Sequence, residues 1–231
     1  IERAAALPGV SAIGGTTSRP LSGQADQAPV TPEGWVPREA GATSIMTDLM
    51  RVTPGYLGAI GMSLIEGRDV AWSDRRDGQP VVVIDERLAR EAWPDGRAVG
   101  RTLRYTVNDS VTATVIGVVR HARQYRYERD DRPQIYVPHA QDTTAFLILG
   151  LRVDGDPMAV VQPLRDIVSE ADPRIPVSQV TTMPAVVDDT LLTSRLQLGL
   201  VAIFAVASIA LAALGVYSVL AAMVHERTRE L

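Results

Sequence analysis

Apolar residues recur along this chain with changing rhythms. In QPVVVI (79–84) they run unbroken, as in a strand buried on both faces. Asp85 then stands as the N-cap of a short helix, ERLAREAW, which Pro94-Asp95-Gly96 ends. TLRYTV and SVTATVIGVV flank Asn108-Asp109, which predicts a hairpin over 102–119, and QIYVP (134–138) reads as one more short strand. AFLILGLRV (145–153) predicts a buried strand. Beyond it, Asp156 fits an N-cap and Pro157 a first helical position, with Val161, Leu164, Val168 and Ala171 at helical spacing up to Asp172-Pro173. IPVSQVTT (175–182) then predicts a returning strand. Residues 19–45, with Pro20, Pro29, Pro32 and Pro37, predict an irregular loop, and IERAAALPGV the end of a helix running into a turn.

These elements imply an α/β (α+β) domain over residues 1–196, with a strand–helix–strand half and a β-rich insert at about 80–140. The pattern changes again near its end. Pro184 suits a first helical turn, Asp188 and Asp189 suit its positive end, and Met183, Val187 and Leu191 share a face, so a stalk helix is expected at about 183–197.

From Leu198 to Val224 come 27 residues without a charge, followed by HERTREL with four charges and a histidine. As a helix the uncharged stretch is about 40 Å long at about 1.5 Å per residue. A hydrocarbon core is about 30 Å thick, so 198–224 is expected to span a membrane. Ser208 and Ala212, Gly215, and Ser218 and Ala222 present small residues on which other helices and lipid could pack closely. Arg227 and Arg229 flank the C-terminal side and only Arg195 the other. The positive-inside rule therefore puts 225–231 in the cytoplasm and 1–197 outside.

Composition narrows the functions available. A formal net charge of −4 argues against a general nucleic-acid binder. There is no cysteine for a disulfide or thiolate site, and no lysine for a P-loop, so ATP is not bound by that route. His121, His139 and His225 are not at metal-ligand spacing with one another, and no serine sits in a G-x-S-x-G context. Asp69, Asp74 and Asp77 before Gly78 have the wrong spacing for a calcium loop. RHARQYRYERDDRPQ (120–134) interleaves arginines with Tyr125 and Tyr127, but Glu128, Asp130 and Asp131 offset the charge. It reads as a solvated loop able to touch a protein partner. No catalytic constellation or cofactor is indicated.

In order along the chain stand TPGYLGAIGMSLIEGRDVAWSD (53–74), VVVIDERLAREAWPDGRAVGRTLRY (81–105), ATVIGVVRHAR (113–123) and PQIYVP (133–138). Together they resemble the extracytoplasmic core domain of the MacB-like, FtsX-like ABC transporter permeases. A membrane helix ending in HERTREL resembles that family's junction into its permease domain. Asp85 stands where the family often has Asn, and Trp93 where Phe is common. The resemblance implies a permease subunit, itself no enzyme, that dimerises with a second copy and works with a cytoplasmic P-loop ATPase. Glu226, Arg227, Thr228, Arg229 and Glu230 would begin the ATPase contact. The helix and stalk would carry motion outward for export or mechanotransmission, with a periplasmic protein as a further partner. The alternative from the residues alone is a membrane-anchored sensor with a ligand-binding ectodomain.

Overall fold

The computed structural model describes residues 1–37, 41–94, 96–107, 109–123, 132–188, 201–209 and 211–215. The chain divides into two compact units, Ile1–Val180 and Thr181–Leu231. In the first, helices α1 (Glu2–Ala5), α2 (Tyr56–Ala59), α3 (Glu86–Ala92) and α4 (Val161–Ala171) accompany nine strands. The strands are β1 (Val10–Thr16), β2 (Asp26–Pro32), β3 (Ile45–Val52), β4 (Leu64–Gly67), β5 (Val81–Asp85), β6 (Thr102–Thr106), β7 (Ser110–Val119), β8 (Gln134–Pro138) and β9 (Ile148–Val153).

The strands lie in the order β2-β6-β7-β5-β8-β3-β1-β9, with β4 on β7. β2 also pairs with β3, from Asp26↔Leu49 to Val30↔Ile45, so β2, β6, β7, β5, β8 and β3 close into a barrel. Closure follows the period-2 pattern. Ala28 and Val30, Ile45 and Leu49, Val82 and Ile84, Leu103 and Tyr105, Ala113 and Val115, and Ile135 and Val137 all enter one buried cluster. α3 adds Leu88, Ala92 and Trp93 to it. Its start is fixed by Asp85, whose side chain accepts from Leu88 N at 2.8 Å.

Alternate residues of the same strands point outward. Met50, Val52, Val83, Val119 and Tyr136 form a second cluster, covered by Tyr56 and Leu57 of α2. A third and smaller core, Ala4, Ile13 and Leu164 with Val10, Leu149, Leu151 and Ile167, joins α1 and α4 to the β1–β9 pair. The domain is thus a barrel with a small αβ layer beside it.

Several sequence expectations need correction. Residues 26–32 form β2 rather than irregular loop. At Pro29 only β3 runs alongside, and at Pro32 only β6, so each proline sits where one side of the strand is unpaired. The strand expected at 175–182 is absent: Gln179 has φ 54, which breaks an extended run, and β9 pairs instead with β1. The strand–helix–strand half is therefore an α1–β1 and β9–α4 layer. β9 is half-buried rather than buried. α4 begins at Val161, because Asp156 accepts from Met158 N at 2.9 Å in a local turn that precedes the helix.

In the second unit, residues 183–188, 201–209 and 211–215 are helical. The rest of the expected stalk and membrane segment lies outside the described residues. Among the described residues no helix is long and apolar enough to cross a membrane.

Candidate coupling site

The small layer carries both α1 and α4. It meets the barrel at one corner. β1 pairs with β3 only at Thr16↔Val52. Around that pair Thr17 N donates to Arg51 O at 3.1 Å, Thr53 N to Gly15 O at 2.9 Å, and Gly15 N to Thr53 Oγ1 at 2.7 Å. Beyond the corner the two strands part, and α2 fills the gap.

This packing depends on glycine. A Cβ on Gly14 would overlap the backbone of Tyr56, and one on Gly55 would come within 2.5 Å of Ile13 O. Gly55 also has φ 87, a left-handed conformation costly for other residues. Gly150, the cross-strand partner of Gly14, lies beneath the Tyr56 ring, where a Cβ would stand 3.7 Å from Cε2. The Tyr56 hydroxyl donates to Ser18 O at 3.4 Å, and burial pushes its pKa up to about 12. Tyr56 therefore packs in the barrel's outer cluster and against the backbone of the small layer at once. Gly14-Gly15 is not among the residues expected at a site, although two adjacent glycines inside SAIGGT signal a close backbone approach.

Two polar clusters flank the corner. Arg51, with a 5%-exposed side chain, reaches Asp26 through Nη1 and lies 2.8 Å from Asp142 Oδ2 through Nε. That second N–H points too far off line for a hydrogen bond, so this contact is Coulombic. On the outer face, Asp48 and Gln134 are register partners, and the β5–β8 pairing ends at Ile84↔Ile135, one residue from Asp85 and Gln134. Gln134 Nε2 donates to Ala122 O at 2.7 Å, and the Tyr136 hydroxyl to Gln134 Oε1 at 2.8 Å. Asp85 Oδ2 sits 2.6 Å from His121 Nδ1, and Pro133 O accepts from Asp48 N at 2.9 Å. These bonds hold both ends of the 120–134 connection, whose residues 124–131 lie outside the described set.

Elsewhere, Asp74 accepts both Arg68 guanidinium nitrogens at 2.8 Å and Ala71 N, which holds its pKa below the usual carboxylate value. Asp69 accepts from Val70 N at 2.6 Å. These carboxylates are occupied by their own loop. A groove of about 740 Å3 opens between Trp35, Met46, Arg87, Arg90 and Pro133. Among the described residues no His, Asp or Glu side chains converge as a metal site.

Of the residues expected to pack in the membrane, Ser208, Ala212 and Gly215 lie in the exposed helical stretches, with Ser208 Oγ donating to Phe204 O at 2.8 Å. Ser218, Ala222 and the segment Glu226, Arg227, Thr228, Arg229 and Glu230 fall outside the described residues.

With this geometry in hand, residues 1–182 match the MacB-like periplasmic core domain. The chain belongs to that family. It is 31% identical over 182 residues to the macrolide export ATP-binding/permease protein MacB of Chromobacterium violaceum, covering 74% of this chain and 27% of that protein. The chain thus spans about a quarter of that curated relative's length. The periplasmic region of MacB from Actinobacillus actinomycetemcomitans aligns at a TM-score of 0.50 and 17% identity, over 74% of this chain and 71% of that one. The extracellular domain of the noncanonic ABC-type transporter YknZ from Gram-positive bacteria aligns at 0.52 and 12%, over 78% and 86%. The MacB-like core domain is therefore an extracytoplasmic mixed α/β fold.

Proposed function

We propose that this chain belongs to a permease subunit of an ABC transporter, in which ATP hydrolysis by a cytoplasmic ATPase subunit moves the extracytoplasmic domain for export or mechanotransmission. The observation that carries the reading is one of sequence order. A MacB-like core domain over residues 1–182 is followed by the uncharged stretch 198–224 and then HERTREL. That order suits a domain outside the membrane, a spanning helix packed on others through Ser208, Ala212, Gly215, Ser218 and Ala222, and a cytoplasmic contact at Glu226–Glu230. A second permease copy would complete the assembly. The chain does no chemistry of its own on this reading: the nucleotide is handled by the partner.

The test is purification of the full-length protein from native membranes in mild detergent, with its bound proteins identified. A stoichiometric P-loop ATPase that is lost from the Arg227→Ala/Arg229→Ala variant is the expected result. Recovery of no ATPase, but a kinase domain on the same chain, would replace the permease by an anchored sensor.

A further inference from the structure

We infer that Tyr56 is a mechanical key which locks the small αβ layer to the barrel, so that a displacement of α1 or α4 reaches the barrel as a rigid rotation rather than being absorbed at the corner. The geometry of the contact stands by itself; its use in passing motion outward rests on the permease reading above.

The two parts have separate apolar cores. No residue is shared between the Ala4–Ile13–Leu164 cluster and the clusters inside and outside the barrel. Among the described residues, backbone pairing between them is confined to Thr16↔Val52 and its neighbouring bonds. A single ladder step resists separation along the hydrogen bonds but opposes swinging about them weakly, since one pair fixes one line of contact. What stops such a swing is α2, wedged where β1 and β3 part.

Within that wedge Tyr56 touches both bodies. It belongs to one apolar cluster with Met50, Val52, Val83 and Tyr136 of the barrel. Its ring atom Cε2 also lies close over Gly150, and its backbone abuts Gly14, so these contacts with the β1–β9 pair are made on glycines that have no side chain to yield under load. Close-packed contacts of this kind transmit displacement because they have almost no compressible volume. The hydroxyl bond to Ser18 O holds the ring near the chain leaving β1, but the lock itself is steric. Ring volume, rather than the hydroxyl, is the property that matters.

The experiment measures the distance between two spin labels in the full-length protein in lipid nanodiscs. The 231 residues contain no cysteine, so Arg165→Cys on α4 and Arg104→Cys on β6, both exposed, add the only thiols of this region. The unaltered corner should give a narrow distance distribution. Tyr56→Phe and Gly150→Ala should leave it narrow, because the first keeps the ring and the second adds a Cβ at ordinary contact distance. Tyr56→Ala should broaden it about twofold or more while the barrel keeps its own unfolding transition. If Tyr56→Ala does not fold, Tyr56→Leu, which retains an apolar body but loses the ring, should still broaden it. A distribution as narrow in the folded Ala or Leu variant as in the unaltered protein would overturn the inference. Failure to recover an ATPase in the purification above, with the distances responding as stated, would remove the transport role and leave the lock.

Discussion

Asp85 uses its two carboxylate oxygens on different elements: Oδ1 caps α3 at Leu88 N, and Oδ2 meets His121 Nδ1 at 2.6 Å beyond the end of β7. One fully buried side chain thus fixes the start of a helix and the exit of a neighbouring strand. Asp85→Asn should retain the cap and cost little, within about 1 kcal/mol. Asp85→Ala should cost about 2–4 kcal/mol, combining a lost cap with a buried polar partner left short of an acceptor. Urea unfolding of the two variants side by side reads the difference.

The glycine floor under Tyr56 makes an asymmetric prediction. Gly14→Ala drives a Cβ into the Tyr56 backbone, which cannot retreat by changing rotamer, and should destabilise by about 2 kcal/mol or more. Gly150→Ala meets Tyr56 Cε2 at 3.7 Å and Ile60 Cγ2 at 3.9 Å and should lie within about 1 kcal/mol of the parent. Thermal unfolding with both variants at equal concentration decides it.

Alkaline pH should weaken the fold through its buried phenols. Burial raises Tyr56 from 10.0 to about 12. Between those values the unfolded chain releases the proton while the folded chain keeps it, so stability falls as pH rises through the window. The contribution from Tyr56 is on the order of 2–3 kcal/mol. Tyr56→Phe has no such proton to lose, and its stability should therefore decline less between pH 10 and 12 than the parent's. A parallel decline in both would place the alkaline sensitivity in Tyr105 and Tyr136, which burial also raises.

Arg51 and its carboxylates should not be equivalent to remove. Arg51→Met leaves Asp26 and Asp142 partly in water, at 58% and 33% side-chain exposure. The Asp26→Asn/Asp142→Asn pair leaves a guanidinium that is 5% exposed without its counter-charges. The double variant should be the less stable, by about 1–3 kcal/mol, because solvent can rescue the acids but not the base. Denaturant midpoints of the two proteins, at matched slopes, test this order.

What could be read from the sequence was local. The unbroken run before Asp85 marked β5, the Asp85 cap and the Pro-Asp-Gly stop marked α3, and the hairpin over 102–119 followed from strand formers around a turn. β2 was missed because its prolines argue against a strand unless one knows that each lies where a neighbour is lacking. Barrel closure depends on β2 meeting β3 and β6 together, a non-local choice with no signature in either segment. The 175–182 strand was expected because its composition suits one, yet β9 found its partner in β1 at the other end of the domain. The corner at Tyr56 was half-visible: TPGY stood out, but nothing local said that Gly14-Gly15 would be the surface beneath it.

That last pairing bears on how the domain is made. Arg3 bonds Glu170 across 167 positions, and β1 pairs with a strand that is synthesised only after the whole barrel. During synthesis β1 precedes the strand that pairs with most of its length, so its Ile13 face stays uncovered until β9 arrives. The barrel has every one of its own strands before then and can form first. The small αβ layer is thus the last part of the domain to assemble, and a chain truncated before residue 148 would leave β1 as an open, sticky edge.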